Sequence, residues 1–158
     1  MSAVHLDVDT ELARRRDTAD GFSRLLADTF ALFLKTHGYH WNVTGPMFPA
    51  LHAMFEVHYG ELALAVDEIA ERIRALGERA PGTYREFIAL GSIEEDADVP
   101  VATEMIRRLA HGHRAVAEIA RSVARLAEHG DDLPSIDLCG RRIAAHERAV
   151  WMLESLLD

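Results

Sequence analysis

The sequence predicts an all-α protein built on four long helices, and three observations carry that reading. Apolar residues recur at spacings of three and four over long stretches, with no strand-like alternation to compete. Glycine (10) and proline (5) are sparse for 158 residues, and alanine is abundant. The breakers also cluster, dividing the chain into four long segments with one extended connection.

The first long helix is expected from about Asp17 to Asn42, with Leu25, Leu26, Thr29, Phe30, Phe33 and Leu34 as its apolar face. A shorter helical piece runs before it from Thr10, a good N-cap type, to Arg16. Thr44-Gly45-Pro46 then resets the chain, and Pro46 suits the first position of a second helix. That helix continues to Leu76 and stops at Gly77. Its length is roughly 45 Å at 1.5 Å per residue.

Glu78 to Pro100 is a long connection, punctuated by Pro81-Gly82, Gly91 and the acidic run Glu94-Glu95-Asp96. Tyr84 to Leu90 fits one short helix inside it. A third long helix spans Val101 to His129, closed by Gly130, with Leu109, Val116, Ile119 and Val123 as its core face. The fourth spans Pro134 to Leu157, entered through Asp131-Asp132. Four long helices with the long crossover between the second and third make the ferritin-like arrangement of a four-helix bundle. No repeat or linker interrupts the pattern. Residues 1–158 therefore read as one domain, with residues 1–16 a short N-terminal extension.

A net charge of −9 repels nucleic acid in bulk and attracts cations. Arginine supplies nearly all the positive charge, because Lys35 is the sole lysine. The single cysteine, Cys139, excludes an internal disulfide framework and reads as a buried structural thiol. No apolar run approaches the roughly 18 residues that a membrane span needs. Met1 to Thr10 lacks a basic segment followed by an apolar one, so a cytoplasmic protein with no membrane partner is expected.

The chemistry concentrates on the second helix. His52 and Glu56 lie four residues apart, and Asp67 and Glu71 repeat that relation. At about 100° per residue the four sit at roughly 0°, 40°, 60° and 100°, on one stripe. Nitrogen and carboxylate donors together suit iron, manganese or zinc better than calcium. Fifteen residues separate the pairs, about 22 Å along a helix, so one chain cannot bring both to one ion. An antiparallel copy related by a twofold axis can, if the axis crosses near Glu61 and Leu62. No glutamate has a histidine three residues on, so the Glu-x-x-His centre of single-chain di-iron bundles is absent.

The run Tyr39-His40-Trp41-Asn42-Val43-Thr44-Gly45-Pro46-Met47-Phe48 resembles the signature of the Dps proteins, the miniferritins. Leu51-His52-Ala53-Met54-Phe55-Glu56 and Asp67-Glu68-Ile69-Ala70-Glu71-Arg72-Ile73 continue that pattern at the family's spacing. His146-Glu147, followed by Trp151-Met152-Leu153, adds a third match. The resemblance implies a hollow homododecamer whose twofold interfaces carry ferroxidase sites. His40, His52 and Glu56 of one chain would act there with Asp67 and Glu71 of its twofold partner, as both metal ligands and catalytic residues. His40 enters only through the resemblance. The implied activity is oxidation of Fe(II) at a di-iron centre, preferably by hydrogen peroxide, with a ferric mineral core stored inside. Peroxide accepts two electrons, so paired Fe(II) ions reduce it to water, whereas a lone ion releases hydroxyl radical.

Other residues carry weaker expectations. Trp41 and Tyr39 adjoin a ligand and are candidates for quenching radicals, with packing as their commoner use. Asp132 and Asp137 resemble the acidic lining of the family's threefold iron pores, although the run Gly130 to Asp137 is one residue longer and has Ser135 for threonine. The alternative is that Asp131 or Asp132 caps the last helix. His37 lies on a face neighbouring His40. His58 falls outside the stripe, His111 and His113 read as solvated, and His146 as structural.

Lysine-rich tails accompany DNA binding in this family, and neither end of this sequence has one. Arg14-Arg15-Arg16, flanked by Glu11 and Asp17, is the only basic cluster near an end. DNA binding is expected to be weak or absent. Two alternatives remain open at the level of sequence: a nucleoid-associated protein that coats DNA, and a cage whose sites hold zinc or manganese structurally.

Overall fold

The computed structural model describes the backbone of residues 3–157 and the side chains of residues 8–157. Its helices are α1 (Ala3–Asn42), α2 (Phe48–Ala75), α3 (Tyr84–Leu90), α4 (Ala102–His129) and α5 (Leu133–Glu154), with no strand among the described residues. α1 packs on α2 and α4, and α5 packs on α4 and more lightly on α2. The four long helices therefore close a ring, with α2 diagonal to α4 and α1 diagonal to α5. α3 lies on α1 within the crossover. This is the ferritin-like bundle that the sequence predicts.

The buried line of α1 runs Phe22, Leu25, Thr29, Leu32, Thr36, Tyr39 and on to Val43, alternating steps of three and four. Thr29 and Thr36 donate their hydroxyls to the carbonyls of Leu25 (2.6 Å) and Leu32 (2.7 Å), so polar atoms are satisfied inside the core. Leu51, Phe55, Leu62, Ile69 and Ile73 of α2 face them, with Met105, Ile106 and Leu109 from α4. Each such side chain contributes about 1.5–3 kcal/mol by leaving water.

The expected face of α1 differs at one end. Leu34 is exposed, and Phe30 and Phe33 are half-buried. Residues 30–34 are apolar almost all round, so periodicity alone could not orient them. α3 covers Phe30 instead, with the Phe87 ring centroid at 4.7 Å.

Two boundaries also shift. α1 is one continuous helix of 40 residues, so the described part of the extension is its first turns rather than a separate piece. There Arg15 donates to the Ala75 carbonyl (3.3 Å) and Arg16 pairs with Glu78 (3.4 Å), fastening α1 to the end of α2. Pro46 lies in the turn, and Pro49 is the proline of the first turn of α2. Gly77, at φ +98°, ends α2 with hydrogen bonds from its own N–H to Arg74 and from the Glu78 N–H to Ile73. The Thr83/Glu86 capping box opens α3 where the short helix was expected.

The crossover is pinned at two points. Fully buried Asp28 accepts from the Ser92 N–H (2.6 Å), the Ser92 hydroxyl (2.7 Å) and the Ile93 N–H (3.0 Å). Further along, Asp96 accepts from the Tyr39 hydroxyl and pairs with Lys35 (3.2 Å) and Arg108 (3.1 Å). Burial works against the Asp96 charge, but the Tyr39 and Lys35 hydrogen bonds outweigh it and hold the carboxyl below its usual range. Cys139 is buried, and burial pushes its thiol up to about 12, as suits an inert core residue.

Candidate metal centre

The short turn Val43–Met47 folds the last turn of α1 against the first turns of α2, which sets His40 beside His52. The two imidazoles stack, with centroids 3.7 Å apart and planes 19° from parallel. His40 Nδ1 lies 2.8 Å from the His52 carbonyl, and His52 Nδ1 lies 2.8 Å from the His40 carbonyl. A carbonyl only accepts, so both Nδ1 atoms carry the proton. Both Nε2 atoms are therefore left with free lone pairs, the tautomer that binds metal.

Glu56 stands exposed one turn after His52 on α2. Asp67 and Glu71 are also exposed, further along the same stripe. Among the described residues no three His, Cys, Asp or Glu side chains converge to hold a metal ion within the chain. His52 and Glu56 thus lie toward one end of the outward stripe of α2, and Asp67 and Glu71 toward the other.

That face has the form of a helix contact. Leu64 is 76% exposed, Ala53 and Ala63 are exposed, and nothing lies within 4 Å of a Cβ built on Gly60. Glycine inside a helix costs about 1 kcal/mol, and nothing in its own chain requires it here. At the level where the axis is expected to cross, the outward residues are the neighbours of Glu61 and Leu62. Leu62 is fully buried in its own core and Glu61 pairs with Arg142 of the same chain, so Gly60, Ala63 and Leu64 are what this level of α2 presents outward.

An aromatic chain adjoins the histidines. Tyr59 stands edge-on to His40 (5.2 Å) and stacks on His37 (4.0 Å), which in turn lies 4.2 Å from Trp41. Tyr59 is absent from the sequence expectations, although it follows His52 by two helical turns, which places it on nearly the same side. Trp41 is 61% exposed. Tyr39 turns the other way, buried near Phe55 and bonded to Asp96, with its hydroxyl pKa raised by burial and by that hydrogen bond.

The two candidate pore residues are not brought together as a pair. Asp132 caps α5, accepting from the Ser135 N–H (3.2 Å) and hydroxyl (2.6 Å) and pairing with Arg72 (2.6 Å). Burial disfavours its charge, but the Ser135 and Arg72 contacts outweigh that and lower its pKa. Asp137 is exposed and pairs with Arg141 (3.0 Å). His113 departs from its expected solvated position. It is buried with Nδ1 2.8 Å from Nδ1 of His146, whereas His111 is exposed.

The ferritin-like domain family matches residues 19–158. The chain is 34% identical over 136 residues to DNA protection during starvation protein 2 of Bacillus anthracis, covering 86% of this chain and 93% of that one. It is 38% identical over 135 residues to a low temperature-induced protein of a Nostoc strain, covering 84% and 75%. Its fold matches a Dps protein from Vibrio cholerae O1, described as belonging to a broad superfamily of ferritin-like diiron-carboxylate proteins. That match has a TM-score of 0.90 at 31% identity and covers 93% of this chain and 92% of the other. A Dps protein from Bacillus brevis gives 0.89 at 29% identity, covering 92% and 98%. The chain belongs to the Dps family of ferritin-like proteins, whose general province is iron storage and protection under stress.

Proposed function

We propose that this protein is a ferroxidase that oxidises Fe(II), preferably with hydrogen peroxide, and stores the ferric product inside a hollow dodecamer. His40, His52 and Glu56 of one chain bind the Fe(II) substrate together with the partner subunit's Asp67 and the partner subunit's Glu71. The observation that carries this reading is the reciprocal His40–His52 lock, which directs both Nδ1 atoms to carbonyls and leaves Nε2 as the donor of each ring, with the exposed Glu56 one turn further on. An isologous contact of α2 with its copy completes two identical sites at once.

Each residue then has a defined task. The two locked imidazoles, with Nδ1 engaged on a carbonyl, bind through Nε2. Glu56 and the partner's carboxylates neutralise the substrate's charge and take up ions from solution. Two Fe(II) ions deliver one electron each to one peroxide, which takes up two protons and leaves as two waters. Pairing the electrons in this way avoids hydroxyl radical. Tyr59 and Trp41 stand where a stray oxidising equivalent would be caught.

The test is anaerobic loading with Fe(II), then peroxide, with ferric absorbance followed in the parent protein and in His52→Ala/Asp67→Ala. Fast oxidation, about two Fe(II) per peroxide, that is lost in the double variant supports the site. Oxidation no faster than in buffer, or unchanged in the variant, removes the ferroxidase reading.

A further inference from the structure

His58 of α2, His113 of α4 and His146 of α5 meet inside the bundle, away from the outward stripe of α2. Their exposures are 7%, 2% and 1%. His58 Nδ1, His113 Nε2 and His146 Nε2 are buried without a hydrogen-bond partner. An unmet buried polar atom destabilises the fold, so three in one core call for a ligand.

We propose that His58 and His113 form an intrachain site for a divalent transition ion of the zinc class. Both line one cleft of about 380 Å³, which Glu61 and Arg148 also border. Two imidazoles bound to one ion at 2.0–2.1 Å hold their ring centres about 5–6 Å apart. The rings of His58 and His113 stand 5.8 Å apart, at 76° to one another.

The donors are prepared for such an ion. When His113 Nδ1–H donates to His146 Nδ1, the lone pair of His113 is confined to Nε2, the orphaned atom. His146 is then the outer partner that fixes the tautomer and orientation of the ligand. Burial, followed by repulsion from His58 and Arg142, lowers His113 to about 3. No proton competes with the metal at neutral pH. Because no third ligating side chain converges among the described residues, solvent in the cleft completes the shell. Glu61 borders the cleft but is held by Arg142 (3.0 Å).

Such an ion would tie α2 to α4, the diagonal pair that shares no broad packing contact. It would stabilise the folded chain by mass action whether or not iron is being oxidised.

The experiment uses the assembled full-length protein carrying His52→Ala/Asp67→Ala, so that the outward site is disabled. Zinc(II) is titrated calorimetrically and cobalt(II) by visible absorption, each followed by a melting curve. One zinc per chain, with a raised melting temperature, is expected. Adding His58→Phe should abolish both effects, and adding His146→Leu should weaken binding about tenfold to a hundredfold. Absence of stoichiometric zinc in the double variant overturns the proposal, as does binding that His58→Phe leaves intact. His58→Phe fills a similar volume near the cleft mouth, so it decides the matter even where a His113 variant fails to assemble. Failure of the ferroxidase reading would leave this result untouched.

Discussion

His40 and His52 lock one another: each ring donates its Nδ1–H to the other residue's backbone carbonyl, at 2.8 Å in both directions. Neither imidazole can therefore turn without breaking its own hydrogen bond to the other helix, and the helix ends are joined by the same pair of contacts. His40→Ala should reduce the rate of Fe(II) oxidation by peroxide almost as far as His52→Ala, because each loss removes one nitrogen donor and the ring stacked on the other. Stopped-flow ferric absorbance checks this; a His40 variant with the parent rate would remove His40 from the site.

Sharing of the site between chains has a numerical signature. His52→Ala and Asp67→Ala chains, each inactive alone, are dissociated, mixed in equal amounts and reassembled. Half the twofold pairs are then mixed, and each mixed pair has one intact site. About a quarter of parent activity should return. A site built within one chain would return none.

Tyr59 should hold the radical formed under excess peroxide. A tyrosyl signal in electron paramagnetic resonance is expected in the parent, lost in Tyr59→Phe and kept in Tyr39→Phe, because Tyr39 is turned into the core. Loss of the signal in Tyr39→Phe alone would reverse the assignment.

Acid should loosen the bundle before it touches most carboxylates. His113 and His146 are held neutral by burial, with pKa values depressed below the ordinary histidine value of 6.5. The unfolded chain therefore binds protons that the folded one refuses. Their contribution is complete above about pH 6.5 and falls as pH drops toward the folded pKa values, at up to about 1.4 kcal/mol per pH unit for each histidine. Urea unfolding of the apo protein between pH 7 and pH 5 should show this slope, and His113→Phe/His146→Leu should flatten it.

Asp28 holds three donors of the crossover from a fully buried position. Asp28→Ala should cost about 3 kcal/mol or more by leaving those donors unmet. Gly91→Ala should also destabilise, since its Cβ would lie 2.9 Å from both an Asp28 oxygen and the Phe87 carbonyl. Chemical denaturation measures both.

Much of this was legible in the residues. The ends of the second and third long helices followed from Gly77 and Gly130, because caps are local chemistry written in single residues. The stripe of His52, Glu56, Asp67 and Glu71 followed from helical geometry alone. What escaped was long-range. The apolar run at residues 30–34 carries no phase information, so Leu34 was placed inside. Asp28 looks like an ordinary surface carboxylate until Ser92 and Ile93 of the crossover arrive to use it, and Asp96, within the crossover, until it meets Tyr39 and Lys35 of α1. His113 read as solvated because its partner, His146, lies on another helix. Tyr59 escaped because its partners His37 and His40 lie on another helix, and only the packing of α1 on α2 brings them to it.

The distance between the two ends of the α2 stripe has a consequence for when chemistry begins. On the shared-site reading, a newly made chain holds half of two sites and the whole of neither. A free subunit is then inert toward Fe(II), and competence appears only on association. Oxidation would be coupled to enclosure by construction: no catalyst exists without a neighbouring wall. Dilution below the association threshold should switch the protein off sharply, with no inhibitor involved.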